Sequence, residues 1–259
     1  MLFRSGKARF AAAPYRPVAE ARESRYPFAL TTGRLRDQWH GMTRTGTLGR
    51  LFGHAGEPAV QLNAQDMARR GVNEGALVRV ASKRGTLVLP AQASPEVAPG
   101  QAFIAMHWGA EYLGGLGVNA LTTPAFCPDS KQPELKHTAV RVEPCALPWR
   151  LVAMAWLPDD TVLQTRQALR ALLADTPYAV CVPFSSGAGE GERQGLLFRA
   201  AAEAPPPREW LDRLETLLAL DTGTLRYADD RAGQRRAMKL RRSGSDTQLD
   251  GFLLAGDTQ

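Results

Sequence analysis

The sequence predicts a mixed α+β protein that is mainly β in its first half. Between residues 26 and 145, short runs rich in Val, Leu and Thr alternate with polar positions, as half-buried strands do. Gly, Pro, Asn and Asp separate these runs and mark turns. After residue 146, leucines at helical spacing appear between further strand-like runs. These three observations together predict a β-rich domain followed by a small α+β domain.

The first half is predicted to hold about six short strands and one or two short helices, which suggests a closed barrel. One helix is expected over residues 64–70, where Asn63 can cap the start and Gly71 ends it. The expected strands cover residues 26–32, 58–63, 76–82, 86–91, 101–108 and 140–143.

Three segments are predicted along the chain. Residues 1–25 form an extended, basic lead-in, because Pro14 and Pro17 disfavour a helix. Residues 26–145 form the barrel domain, and residues 146–259 form a small α+β accessory domain. The boundary lies near residues 143–148, where two prolines bracket the change in pattern.

The accessory domain is predicted to contain two amphipathic helices among six strands. Asp159 or Asp160 is expected to cap the first helix, and Pro207 to open the second. Their apolar faces would be formed by Val162, Leu169, Leu172 and Leu173, and by Trp210, Leu214, Leu217 and Leu218. The expected strands cover residues 151–157, 178–184, 196–201, 224–228, 235–240 and 249–255.

The net charge of +6 and the pI of about 9.5 favour an anionic partner, which can be nucleic acid, a phosphorylated cofactor or an acidic protein. Residues 231–242 carry six basic side chains and no acid. Such a run is either a solvated strand face or a docking surface, for an acidic electron donor or for the rest of the enzyme. The six residues are Arg231, Arg235, Arg236, Lys239, Arg241 and Arg242.

The three cysteines, Cys127, Cys145 and Cys181, are 18 and 36 positions apart and form no C-x-x-C pair. This spacing indicates reduced structural cysteines rather than a disulfide framework, a zinc site or an iron–sulfur site. No Ser-His-Asp order, H-E-x-x-H motif or Walker loop stands out. Without a signal peptide or a membrane-length apolar run, a cytoplasmic location without a membrane partner is expected.

Residues 30–49 are the stretch richest in groups that face ligands. Between residues 22 and 50 there are six arginines and two acids, with glycines and threonines interspersed. A loop of this composition leaving a strand can cradle a pyrophosphate with backbone N–H groups and guanidinium groups. The alternative on composition alone is an ordinary solvated connection.

Three motifs in this order resemble the dinucleotide-binding domain of the molybdopterin oxidoreductases, and most closely that of the assimilatory nitrate reductases. The first comprises Thr32-Gly33-Arg34, then Trp39-His40, then Met42-Thr43-Arg44-Thr45-Gly46. The second is His107-Trp108 at a predicted strand end, where an aromatic ring either stacks on a pterin or guanine or fills the barrel mouth. The third is Asn119, followed by Lys136 seventeen residues later.

The resemblance implies a double-psi β-barrel that binds molybdopterin guanine dinucleotide. Asn119 would pair with the pterin edge, and Lys136 would neutralise phosphate. The implied cofactor-binding residues are Thr32, Gly33, Arg34, Leu35, Arg36, Asp37, Gln38, Trp39, His40, Gly41, Thr43, His107, Trp108, Asn119 and Lys136.

The resemblance also implies the C-terminal part of a molybdenum-dependent nitrate reductase, which converts nitrate to nitrite with Mo-bis-MGD. The protein ligand of molybdenum and any iron–sulfur cluster would then lie in the N-terminal domains of the same enzyme, and this chain alone would be inactive. One alternative is the same domain of a formate dehydrogenase. An alternative of another class is a basic nucleic-acid-binding module, which is disfavoured because no recognition helix or aromatic-studded strand is evident.

Overall fold

The computed structural model describes residues 6, 10, 12, 14–39, 41–42, 46, 49–51, 55–186 and 193–256, apart from the side chains of Arg50 and Ser243. Within these ranges the chain forms twelve strands and three α-helices. The strands are divided between a closed barrel and a six-stranded sheet. The mainly β composition and the closed barrel predicted for the first half are confirmed.

The barrel contains the first six strands in the order β1-β5-β2-β4-β3-β6. Strand β1 runs parallel to β5, and β2 runs parallel to β4, while the other neighbours are antiparallel. The strands are β1 (Phe28–Gly33), β2 (Val60–Leu62), β3 (Leu77–Ala81), β4 (Thr86–Ala93), β5 (Gln101–Ala105) and β6 (Thr138–Pro144). Buried apolar side chains of these strands form the barrel core; burial alternates along β1, as a two-residue period requires, whereas β3 and β4 bury consecutive residues.

Helix α1 (Ala64–Arg69) follows β2 and begins where the sequence predicts. The Asn63 side-chain oxygen accepts a hydrogen bond from the Gln65 N–H at 3.0 Å, which satisfies one of the free donors of the first turn. Gly71 adopts a φ of +63° just beyond the helix, a conformation in which a side chain would be strained.

The second sheet has the order β10-β11-β12-β7-β9-β8, and all its neighbouring strands are antiparallel. Its strands are β7 (Trp149–Leu157), β8 (Tyr178–Ser185), β9 (Gln194–Ala202), β10 (Thr224–Asp229), β11 (Gln234–Ser243) and β12 (Asp246–Gly256). Helices α2 (Val162–Leu173) and α3 (Arg208–Leu217) pack against it through a shared apolar core.

The predicted apolar faces of both helices are buried, apart from the half-buried Leu217, but the predicted cap of α2 is wrong. The N-cap position is Thr161, and its hydroxyl donates to the Pro158 carbonyl at 3.0 Å instead of capping a helix N–H. Pro207 precedes α3 as expected. Because N–H groups at the start of a helix have no acceptor within it, a proline there loses no helical hydrogen bond. No helix in the described part of the chain is long and apolar enough to span a bilayer.

The basic run at residues 231–242 does not form one solvated face. Successive side chains of β11 point to opposite sides of the sheet, so Arg235 turns toward α3 and is only 5% exposed. Its guanidinium lies 2.5 Å from the Asp212 carboxylate and 3.5 Å from that of Glu215. The Lys239 ammonium donates to the Ala219 carbonyl at 2.7 Å. Part of the run therefore stabilises the fold rather than facing solvent.

The two halves of the chain are joined by backbone hydrogen bonds. The Gly114 N–H donates to the Ala179 carbonyl at 2.9 Å, and the Cys181 N–H donates to the Tyr112 carbonyl at 2.8 Å. A loop of the barrel half thus pairs with the outer edge of β8. Val180 of the same strand packs into the barrel core.

Candidate functional site

Two of the predicted motifs meet at one edge of the barrel. Because β1 and β5 are parallel neighbours, with Gly33 opposite Ala105, their carboxyl ends lie side by side. The Met106 N–H extends this pairing by donating to the Gly33 carbonyl at 2.9 Å. The segments that start with Arg34 and with His107 therefore leave the barrel from the same place.

Lys136 is held at this edge by the end of β1. Its ammonium donates to the Thr32 carbonyl at 2.6 Å. In return, the Thr32 hydroxyl donates to the Leu135 carbonyl at 2.6 Å, and the Thr31 hydroxyl donates to the Lys136 carbonyl at 3.2 Å. An ammonium has three donors, so this arrangement leaves Lys136 further capacity for an anion.

The segment from Arg34 to Trp39 lines a cavity of about 490 Å³. The Arg34 guanidinium lies over the Trp39 ring, 4.2 Å from its centre, which is cation–π geometry. Leu35 packs against the barrel core, whereas Arg36 is exposed and Gln38 is buried. One buried oxygen of Asp37, Oδ1, has no hydrogen-bond partner within the described ranges.

Gly33 is required where β1 ends. A Cβ at this position would lie 2.7 Å from Cε2 of the Phe103 ring on β5, much closer than a normal contact. Gly41, beyond the Arg34–Trp39 segment, has a φ of +61° and also favours glycine. His40 and Thr43, which the resemblance places in the site, lie outside the described residues.

The lining of a second cavity, of about 400 Å³, includes Gly41, His107, Trp108, Tyr112 and Asn119. His107 is 3% exposed, and neither of its ring nitrogens has a hydrogen-bond partner among the described residues. Burial, and then the positive charge of Arg34, lower the pKa of His107, while Asp37 opposes this shift. A neutral imidazole there offers one donor and one acceptor.

Trp108 and Asn119 occupy this cavity wall differently. Trp108 is 2% exposed and packs edge-to-face with Tyr112 at 6.0 Å, which favours its role of filling the barrel mouth over stacking on a ligand. Asn119 lies in a 3₁₀ turn (Val118–Ala120) and is exposed, so its amide is accessible to a ligand.

Sequence reasoning missed Arg166, which reaches from α2 to the segment that follows β1. Its Nη1 donates to the Gly46 carbonyl, and its guanidinium carbon lies 5.0 Å from the centre of the Tyr112 ring. Burial raises the pKa of Tyr112, and the Arg166 charge opposes that effect. An arginine four residues after Val162, on the apolar face of a helix, was the available signal.

Residues 28–139 match the protein family described as the molydopterin dinucleotide binding domain. Together with the relatives described next, this match confirms the recognition of a molybdopterin oxidoreductase part in the first half of the chain.

The chain is 37% identical to a nitrate reductase of Klebsiella oxytoca over 57% of its own length and 17% of the relative's. It is 32% identical to the F420-dependent formate dehydrogenase subunit alpha of Methanocaldococcus jannaschii over 54% of its length and 20% of the relative's. The chain thus spans about a fifth of the length of these relatives. The solved structure of acetylene hydratase from Pelobacter acetylenicus has a TM-score of 0.40 and 18% identity, over 46% of this chain and 18% of that one.

Proposed function

We propose that this chain binds the guanine dinucleotide end of a molybdopterin cofactor, as the C-terminal part of a molybdenum-dependent nitrate reductase. The observation that carries the proposal is the convergence of Arg34, His107 and Lys136 at the adjoining ends of β1 and β5. These residues come from three separate motifs in the sequence. A polar loop with no ligand would not require them to meet.

The chemistry of this edge fits a flat ligand that carries a pyrophosphate. Arg34 and Lys136 supply positive donors for phosphate oxygens. The unpartnered Asp37 oxygen can accept hydrogen bonds from the N–H groups of guanine, while His107 can pair with a polar ring edge. When bound, the cofactor supplies redox-active molybdenum, and the residues described here hold its nucleotide end.

Nitrate is favoured as the substrate of the whole enzyme by the sequence Arg36-Asp37-Gln38-Trp39-His40 and by the similarity to the Klebsiella nitrate reductase. The formate dehydrogenase relative supports the alternative, formate oxidation. The proposal includes a double-psi topology for the barrel, domain boundaries near residues 26 and 146, and a cytoplasmic location. Residues outside this chain would supply the molybdenum ligand.

Calorimetric titration with GDP tests the site assignment. We expect Arg34→Ala and Lys136→Ala to weaken binding by about 10- to 100-fold each, because charge-assisted hydrogen bonds contribute about 1.5–3 kcal/mol. Lys131→Ala is the matched control, since the Lys131 ammonium donates to the nearby Pro128 carbonyl in another loop. Unchanged GDP affinity in both site variants would contradict the assignment of Arg34 and Lys136 to the nucleotide site.

The base specificity of the site tests Asp37 separately. Guanine presents N–H donors on the edge where adenine lacks an equivalent pair, so the Asp37 carboxylate should favour GDP over ADP. Asp37→Asn replaces one carboxylate oxygen by a donor and should reduce this preference at least severalfold. Equal affinity of the unaltered protein for GDP and ADP would contradict the guanine assignment while leaving phosphate binding intact.

A further inference from the structure

The segment that follows β1, which the proposed function assigns to the ligand, also contacts residues outside the barrel half. At its start, Gly33 and Met106 connect it to the barrel. Farther along, Gly46 and Gly49 instead contact residues that precede α2 or belong to the second sheet. A Cβ on Gly46 would collide with the Tyr112 hydroxyl, and a Cβ on Gly49 would collide with the Phe184 carbonyl of β8. The loop is therefore seated closely against both halves of the chain.

Arg166 is the charged group in this contact region between the segment after β1 and the second half of the chain. It projects from α2, is 7% exposed, and donates from Nη1 to the Gly46 carbonyl. No carboxylate in the described ranges lies within ion-pair distance of it. Among the described residues, the Gly46 carbonyl and the face of the Tyr112 ring are thus groups that compensate its desolvation.

Both contacts of Arg166 lead to the same cavity. The Gly46 N–H donates to the Met42 carbonyl at 2.8 Å, and Met42 follows Gly41, which lines the cavity beside His107. Met42 itself is buried, with a φ of +66°, so its conformation depends on the surroundings that hold it. Tyr112, under the guanidinium, lines that cavity as well. Arg166 therefore supports two separate parts of the cavity wall.

We propose that Arg166 is a positioning residue for the dinucleotide-binding loop, and that nucleotide affinity of the barrel consequently depends on α2 of the second half. The inference rests on the proposed function, because it assigns the loop to nucleotide binding. Arg166 does not touch the ligand in this arrangement. It holds Gly46, whose N–H is bonded to the Met42 carbonyl, through the Gly46 carbonyl, so that the cavity is formed before the nucleotide arrives.

The test compares Arg166→Gln, Arg166→Lys and the unaltered full chain, with Arg170→Gln as the matched control. Arg170 lies one turn farther along α2 and is exposed. Without any ligand, hydrogen exchange of the Gly46 amide reports on its hydrogen bond to the Met42 carbonyl. We expect exchange to become about 10-fold faster in Arg166→Gln, consistent with the loss of one charge-assisted hydrogen bond, and to stay near the original rate in Arg170→Gln.

GDP titration of the same proteins gives the second measurement. We expect affinity to fall about 10-fold in Arg166→Gln and to be largely restored in Arg166→Lys, whose ammonium can still donate to the Gly46 carbonyl. Arg170→Gln should bind GDP normally. Exchange that rises equally in β12 and at Gly46 would show general destabilisation and overturn the proposal. Unchanged exchange at Gly46 and unchanged affinity would also overturn it.

The two proposals fail in different ways. If the unaltered chain binds no GDP, the proposed function is wrong, whereas the exchange rate at Gly46 still shows whether Arg166 holds Gly46 in place. If the unaltered chain binds GDP and Arg34→Ala abolishes binding, the function stands. Failure of Arg166→Gln to alter the affinity would then reject only the positioning role.

Discussion

The Lys136 ammonium is bonded to the Thr32 backbone carbonyl at 2.6 Å, so a lysine assigned to the cofactor also fastens the end of β1. Thr32 is 3% exposed and returns a hydrogen bond to the Leu135 carbonyl. With the bond from the Thr31 hydroxyl to the Lys136 carbonyl, three hydrogen bonds that involve side chains link the segment before β6 to the end of β1. Lys136 has a structural role as well as a proposed binding role, and the two can be separated by experiment.

Replacement of Lys136 by Met should lower the free energy of unfolding by about 1 kcal/mol, because the apolar stem is kept and one partly solvated hydrogen bond is lost. Urea denaturation measures this change. The matched control is Lys131→Met, which should alter stability by less than about 0.5 kcal/mol. A Lys136→Met protein with unaltered stability would show that the bond to Thr32 contributes nothing net.

The lowered pKa of His107 predicts a pH-dependent stability. The unfolded chain titrates near 6.5, the ordinary histidine value, and the folded chain below it. Between these two values the unfolded state binds more protons, so the free energy of unfolding falls as the pH falls through this window. The contribution of His107 to the free energy of unfolding is fully present above pH 6.5 and is lost below the pKa of the folded state.

Urea denaturation of the original chain and of His107→Gln across pH 8 to 5 tests this direction. The variant has no titrating group at this position, so its stability should fall less steeply below pH 6.5. The difference between the two curves isolates His107 from the other titrating groups. Parallel curves would mean that His107 has similar proton affinity in both states.

The buried carboxylate of Glu215 should be essential to the second sheet. Glu215 has no exposed surface and is paired with Arg226 and with the buried Arg235. Glu215→Gln leaves Arg235 with less compensation and should cost about 3 kcal/mol, as expected when one partner of a buried pair is removed. Arg208→Gln, which removes an exposed ion pair with Asp212, is the control and should cost less than about 1 kcal/mol.

A double variant, Glu215→Gln with Arg235→Met, distinguishes pairing from packing. Because both charges are then absent from the buried site, we expect part of the stability lost in Glu215→Gln to return. Purely additive losses in the double variant would instead show that shape, rather than charge compensation, accounts for the cost. The measurement is again the free energy of unfolding in urea.

As an isolated polypeptide, the chain should contain iron and molybdenum well below one atom per chain and should not reduce nitrate. The described residues contain no cluster of three or more potential metal-binding side chains, and Cys145 and Cys181 are buried apart. Elemental analysis and a dye-linked nitrate assay, with and without added cofactor, measure both expectations. Stoichiometric iron or nitrate turnover would contradict the proposed location of the metal chemistry outside this chain.

Strands and helices were largely predictable because burial leaves a periodic pattern in the sequence. The helices that follow Asn63 and Pro207 show this, since both begin where local chemistry indicates. The cap of α2 was not predictable, because several neighbouring residues carry oxygens and the path of the chain after Pro158 selects among them. The number of short strands suggested a closed barrel, but periodicity could not order those strands, and the double-psi topology was implied only by the family resemblance.

The candidate site was predictable only where its residues lie within a recognisable motif. Arg34 and Lys136 belong to such motifs, and the structure brings their strands together. Arg166 does not, because its partner Gly46 is 120 positions away in the sequence. The structural role of Arg235 was equally unpredictable. Its acidic partners are on α3, and the alternation of β11 alone does not show which face of the sheet α3 covers.

The pairing of Gly114 and Tyr112 with β8 has a practical consequence for dissecting the protein. Cutting the chain between β6 and β7 would remove the hydrogen bonds that Gly114 and Tyr112 make with Ala179 and Cys181. Strand β8 would then be an unpaired, almost wholly apolar edge. Strands of that kind recruit further strands from other molecules. The portion beginning at Trp149, made on its own, is therefore expected to aggregate. Oligomers seen in size-exclusion profiles of such truncations would result from the exposed edge of β8 and would not indicate the natural oligomeric state.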